Sequence, residues 1–188
     1  MIWPGTGGRT KEFEEVALVH VDALYRGALW LTRSRAHAED LVQEALVRAF
    51  RGFDRFKAGT NCRAWLFKIM RNLFLNRVRG EREIPHEDEF FEQVGLERLG
   101  DARGLEVTPE EEFLQTVVHG EVDRALRDLP RHFREAVVLC DIEGFTYREI
   151  AKILDCPIGT VMSRLSRGRR LLRAALAGFA RERGYLKE

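Results

Sequence analysis

TYREIAKILDCPIGTVMSRLSRGRRLLR, residues Thr146 to Arg173, reads as a helix, a tight turn and a second helix with a basic outer side. Thr146 is placed to cap the first helix and Glu149 to reach back to it, a capping box of the T-x-x-E kind. Ile150, Ala151 and Leu154 then fall on one face at helical spacing. The helix ends in Asp155-Cys156, and Pro157 suits the first turn of the next, where its missing N–H costs nothing. In that second helix Ile158, Val161, Leu165, Gly168 and Leu172 share a narrow apolar side, with Thr160, Ser163, Arg164, Ser166, Arg167 and Arg170 on the rest of the surface. Small hydroxyls mixed with arginines suit a helix in the major groove, where a guanidinium forks onto guanine and a hydroxyl meets a base or a phosphate. The same pattern also describes an amphipathic hairpin with a solvated arginine face.

Outward from this stretch, the charge is segregated. The 188 residues carry a formal charge of +1. Yet between Glu81 and Glu112 three arginines face twelve carboxylates, a net of −9 that leaves +10 to the remainder. Two basic blocks flank an acidic connector, which suggests nucleic-acid contact at both ends. The connector, residues 81–107, has no sustained period and is punctuated by Pro85, Gly95, Gly100 and Gly104. It reads as an extended or disordered, flexible linker too acidic to lie on DNA. After it, Thr108-Pro109-Glu110-Glu111 is a second capping box. A helix is expected from there to about Asp128, burying Phe113, Val117, Val118, Val122 and Leu126, and another from Arg131 to Ile142, burying Phe133, Ala136, Val137 and Cys140.

Before the connector, residues 1–10 are expected to form a frayed arm and residues 11–80 a small three-helix domain. Phe13, Val16, Ala17, His20, Leu24, Ala28 and Leu31 predict one helix over 11–31, with His20 packed in its core. Ser34 caps a second helix that buries Ala38, Leu41, Val42, Ala45, Leu46 and Ala49. Its outer side shows Asp40, Gln43, Glu44, Val47 and Arg51, which fits either a solvated face or a docking surface for a protein. Thr60 or Asn61 caps the third helix, over 62–79, which buries Leu66, Ile69, Met70 and Leu73. Lys68, Arg71, Asn72, Asn76 and Arg79 lie on its other side, with Trp65 at the border. Cations, amides and an aromatic on one surface suit unstacked DNA, although Trp65 is equally at home in a core.

An apolar fraction of 45% supports packed cores, and no apolar run approaches the roughly 20 residues that span a bilayer. The opening MIWPGTGGRTKEFEE is not expected to be a secretory signal. Cys62, Cys140 and Cys156 lack metal-ligand spacing and read as free thiols in a reducing cytosol, so no metal and no cofactor are expected. Phosphate loops, metalloprotease motifs and nucleophile elbows are absent from the sequence, which argues against an enzyme and against a small-molecule substrate.

The whole pattern resembles a bacterial RNA polymerase sigma factor of the extracytoplasmic-function (ECF) group of the sigma-70 family. Asp40-Leu41-Val42-Gln43-Glu44 followed by Ala49-Phe50 is similar to the helix such factors press onto the clamp helices of the polymerase β′ subunit. Arg63-Ala64-Trp65-Leu66-Phe67-Lys68-Ile69 with Asn72 resembles the segment that engages and melts the −10 element. Tyr147-Arg148-Glu149-Ile150-Ala151 and Gly159-Thr160-Val161-Met162-Ser163-Arg164-Leu165 resemble the −35-reading module.

The resemblance implies an all-α fold of two small helical domains, 11–80 and 108–188, joined by the acidic linker. It implies core docking through Asp40, Gln43, Glu44 and Val47, and −10 contacts through Trp65, Lys68, Arg71, Asn72 and Asn76. Asn76 matches the position that recognises an extruded base. The −35 contacts implied are Thr160, Ser163, Arg164, Ser166, Arg167 and Arg170. Partners would be the polymerase core (β′ clamp helices and β flap), promoter DNA and an anti-sigma factor. The setting would be a stress response in the bacterial cytoplasm, with the anti-sigma factor able to hold the protein at the inner membrane. Met162 and Ser166 depart from relatives, which often carry Lys or Arg at the first position and a larger side chain at the second. The alternative is a helix-turn-helix regulator that is not a polymerase subunit.

Overall fold

The computed structural model describes residues 6–57, 59–80 and 120–184. The acidic connector, the second capping box, Phe113, Val117 and Val118 lie outside them. Every regular element among the described residues is helical. The first group comprises α1 (Thr6–Ala17), α2 (Val21–Thr32), α3 (Arg35–Arg51) and α4 (Cys62–Gly80). The second comprises α5 (residues 120–128), α6 (Arg131–Val137), α7 (Tyr147–Leu154) and α8 (Ile158–Glu182).

Two features of the N-terminal part differ from the sequence reading. Residues 6–10, expected to fray, form the start of α1, because Arg9 anchors them: its guanidinium donates to the Phe50 carbonyl at 2.7 Å and pairs with Asp54 at 3.1 Å. The single helix expected over 11–31 is broken by a 3-10 turn at Leu18–His20. On either side of that turn, Phe13 and Ala17 of α1 and Ala23, Leu24 and Ala28 of α2 all enter the same core. No glycine or proline marks the break.

Ser34 caps α3 by accepting from the His37 N–H at 3.4 Å, and Asn61 caps α4 by accepting from the Ala64 N–H at 3.1 Å. The buried stripe of α3 is Ala38, Leu41, Val42, Ala45 and Ala49, with Leu46 half-buried. Helix α4 buries more than one amphipathic face: Cys62, Ala64, Leu66, Phe67, Met70, Leu73 and Phe74 are all covered.

The extra coverage comes from the second helical group. Helix α7 and the loop before it pack on α4, and the buried side chains of both groups run together into one core. Phe67 of α4 meets Phe145 edge-on, with ring centroids 5.0 Å apart. Each such ring contributes roughly 1.5–3 kcal/mol when fully buried, so this contact is a substantial part of what holds the groups together.

Helix α6 does not run evenly to Ile142 but widens into a π turn over Val138–Ile142. The turn carries Glu143 inward, where its N–H bonds the Val138 carbonyl at 2.9 Å, and leaves Cys140 and Phe133 only half-buried. Pro157 precedes α8 and is not its first residue; its carbonyl accepts from Thr160 at 2.9 Å. Ile158, expected on the buried side, is exposed, and the buried line of α8 starts at Val161.

Candidate nucleic-acid interface

The helix-turn-helix forms as its local chemistry dictates. Both halves of the capping box are present: Thr146 accepts from the Glu149 N–H, and Glu149 accepts from the Thr146 N–H at 2.8 Å. Asp155 takes a left-handed conformation (φ 51°), which ends α7 and turns the chain into α8. Val161, Leu165 and Gly168 bury one side of α8. Ser163, Ser166, Arg167 and Arg170 are exposed on the other, and Thr160 and Arg164 are half-buried at its edge.

Among the described residues, Arg164, Arg167, Arg170 and Arg173 form no ion pair, so this face keeps its positive charge for a partner. Arg169 is different. It clasps Asp141 through two bonds of 3.0 and 2.5 Å, which raise its pKa and tie α8 to the π turn. Ser163 donates to the Thr160 carbonyl at 3.0 Å, leaving its oxygen free only to accept.

Asp40, Gln43, Glu44 and Val47 stand together and exposed along α3, Val47 at 51%. Among the described residues, Asp40 and Gln43 form no side-chain hydrogen bond or ion pair, whereas Glu44 pairs with Arg77 of α4 at 2.5 Å. An exposed valine among short polar groups is a small apolar target with a polar rim, the usual anatomy of a protein docking patch.

The candidate −10 face of α4 is divided. Trp65 is half-buried and joins an aromatic cluster, its ring 5.1 Å from Phe56 and 6.4 Å from Phe53. Lys68 points towards Asp155 at 3.9 Å, and Arg71 is paired with the buried Glu135 at 3.1 Å. Asn72 and Asn76 remain exposed in a groove of about 540 Å³ shared with Arg48 and Arg79, with Leu154 and Asp155 on its opposite wall. The amides are therefore open while the two cations are engaged by the second helical group.

Sequence reasoning missed the network behind this division. Glu143, with a side chain 1% exposed, is held by Arg63 of α4 in a direct ion pair and by Arg26 of α2 at 3.7 Å. The Arg63 guanidinium also lies 4.6 Å from the centre of the Phe145 ring. Asn61 joins the starts of two helices: its oxygen caps α4, while its amide donates to Glu149 at 2.6 Å. Burial acts to raise the Glu149 carboxyl, but the bonds from Thr146 and Asn61 outweigh it and hold the group below its ordinary value. Arg33 of the first group and Arg134 of the second both donate to the Arg127 carbonyl, at 3.0 and 2.9 Å, so one helix end is capped from two sides. Burial, with Arg33 alongside, lowers Arg134 to about 10. The one sequence signal for the network is Glu143 itself, the second of two acids in the run VVLCDIEGF after an apolar helix.

Two family models match the chain, Sigma-70 region 2 over residues 18–84 and Sigma-70, region 4 over residues 119–172. The chain is 36% identical over 168 residues to the ECF RNA polymerase sigma factor EcfG of Rhodopseudomonas palustris, an alignment covering 89% of this chain and 86% of the relative. It is 38% identical over 172 residues to the ECF RNA polymerase sigma factor SigE of Mycolicibacterium smegmatis, which covers 90% of this chain but 63% of that relative's length. Among solved structures, the sigma factor RpoE of Bartonella quintana, in complex with the anti-sigma factor NepR, superposes with a TM-score of 0.67 at 34% identity, covering 89% of this chain and 98% of that one.

Proposed function

The chain belongs to the extracytoplasmic-function group of the sigma-70 family, and on that premise we propose that it lends promoter specificity to a bacterial RNA polymerase core by reading two DNA elements. Helix α8 enters the −35 major groove, with Arg167 and Arg170 on base edges or phosphates and Thr160, Ser163, Arg164 and Ser166 beside them. Asp40, Gln43, Glu44 and Val47 of α3 dock on the β′ clamp helices, and the second helical group contacts the β flap. Lys68, Arg71, Asn72 and Asn76 of α4 engage the −10 strand, with Asn76 at the extruded base, whose unstacking costs a few kcal/mol and is offset by stacking and edge contacts. Trp65, packed in an aromatic cluster, serves this site as much by shaping it as by stacking.

The observation that carries this reading is the row Arg164, Arg167, Arg170 and Arg173 on α8, without ion pairs among the described residues, in a capped helix-turn-helix. Residues 81–107 span the two readers, and their negative charge keeps them off the DNA. The polymerase makes the bonds; this chain chooses where. Its compartment is the bacterial cytoplasm, and none of the described helices is long and apolar enough to cross a membrane.

Control by an anti-sigma factor is supported by the Bartonella relative, solved with such a partner. It is also supported by the packing of α4 against α6 and α7, which pairs Arg71 with the buried Glu135 and sets Lys68 beside Asp155, so that Arg71 at least must leave its partner to neutralise DNA. Promoter melting on this reading requires α4 to be released.

Transcription with purified core polymerase on a genomic promoter library tests the proposal. With this protein present, discrete new start sites sharing −35 and −10 elements are expected. If core makes nothing new while the protein alone binds duplex sites, it acts as an ordinary regulator. Arg167→Ala should weaken promoter binding by roughly 1–3 kcal/mol, concentrated at −35 bases.

A further inference from the structure

We infer that Met162 reads the 5-methyl group of a thymine in the −35 element, supplying an apolar determinant of promoter specificity. The inference rests on the −35 reading proposed above.

Of the seven large apolar side chains exposed among the described residues, three lie at the head of the helix-turn-helix: Tyr147, Ile158 and Met162. Ile158 and Met162 are one turn apart on α8, hence neighbours on its surface. Tyr147 and Met162 line the same concavity, together with Ser166, Arg167, Arg170 and Arg173. Met162 is 54% exposed, at the fifth residue of α8, in the N-terminal part of the helix that reaches base edges in this motif. It lies outside the buried line of Val161, Leu165 and Gly168.

The rim decides what covers this apolar strip. Among the described residues, Arg167, Arg170 and Arg173 have no ion pair. An apolar protein surface laid here would strip water from three guanidiniums and return no charge, at a cost of several kcal/mol per uncompensated ion. A DNA backbone supplies phosphates to the same rim and, between them, a major groove whose apolar feature is the thymine methyl. A thioether on a flexible, unbranched chain adapts well to such a small apolar target.

Uracil keeps every hydrogen-bonding group of thymine and lacks only the methyl, so it isolates the contact. Holoenzyme assembled from core polymerase and the full chain would be used to select duplexes from a randomised −35 library, copied once with thymine and once with uracil. The wild type is expected to enrich thymine at one −35 position by about fourfold more than uracil, the worth of one buried methyl. Met162→Ala should lose that difference and keep the preferences at other positions, while Met162→Leu should restore most of it. An equal preference for thymine and uracil in the wild type, or a thymine preference that survives Met162→Ala, would overturn the inference. Lower affinity of Met162→Ala for core with unchanged base preferences would instead assign the strip to protein. If the wild type enriches no motif at all, the promoter reading itself fails and takes this inference with it.

Discussion

Glu143 and Glu149 are both carboxylates of the second helical group that reach the first, and they behave differently because of what surrounds them. Glu149 is half-exposed, and its hydrogen bonds to Thr146 and Asn61 hold its pKa below the ordinary 4.5 despite partial burial. A carboxyl depressed in the folded state stabilises it above pH 4.5, and that stabilisation is lost as the pH falls through the lower folded value. Glu149→Gln should therefore lower the melting temperature by about 2–4 °C at pH 7, for a cap worth about 1 kcal/mol. Thermal denaturation from pH 7 to pH 3 should show the gap closing below pH 4.5. Cys62 offers a second check. Burial pushes its thiol up to about 11, so it should resist iodoacetamide at pH 8 in the native protein and react promptly once unfolded. Fast native labelling would mean that the start of α4 opens readily. The sequence marked Cys62 as a free thiol and Thr146-Glu149 as a cap because both follow from local spacing. It left Trp65 undecided between core and surface, since that answer depends on Phe53 and Phe56 arriving from a loop.

At the scale of elements, periodicity located α3, α4, α7 and α8 well, because α3, α4 and α7 each have a capping side chain and α8 follows a proline and repeats its apolar residues at helical spacing. The 3-10 break at Leu18–His20 and the π turn at Val138–Ile142 were illegible. Neither has a glycine or proline, and both are imposed by where the flanking helices must bury their faces. Close packing is sharpest where α8 crosses α6. A methyl group added at Gly168 would meet Val137 Cγ2 at 2.8 Å and Phe133 Cβ at 3.3 Å. Gly168→Ala gains about 1 kcal/mol of helix propensity against overpacking of roughly 1–3 kcal/mol. A net loss of stability is expected, read as a lower denaturation midpoint with an unchanged slope. A more stable variant would mean that α6 and α8 can part without cost.

For the molecule as a whole, the consequential feature is which faces are left open when the two helical groups close. The α3 face proposed for docking and the unpaired arginines of α8 are exposed or half-exposed, whereas Lys68 and Arg71 of α4 are engaged. No sequence signal foretold this, because the partners sit 64 to 87 positions apart and are ordinary surface charges when read along the chain. Arg63→Ala tests the closure directly. It leaves Glu143, almost wholly buried, with Arg26 alone at 3.7 Å, and opening would let water reach the carboxylate. Loss of this partly exposed pair should shift the balance towards the open form by about 2 kcal/mol, roughly thirtyfold. Fluorescence energy transfer between dyes on α3 and α8 should fall, with far-ultraviolet circular dichroism unchanged. Transfer equal to that of the wild type would show that the apolar contacts alone keep the groups together.

Of the pairs that join α4 to the second helical group, Lys68–Asp155 is open to solvent, so dissolved ions reach it, whereas Arg71–Glu135 is mostly buried and is screened far less. Raising ionic strength shortens the Debye length from about 10 Å at 0.1 M to about 3 Å at 1 M and loosens the closure. The same ions compete with the α8 arginines for phosphate and weaken the hold on DNA. Salt thus pushes initiation in two opposite directions, and output should pass through an optimum at intermediate salinity where a permanently open factor would only decline. A cell that concentrates its cytoplasm under osmotic load would then be adjusting this factor through the solvent alone.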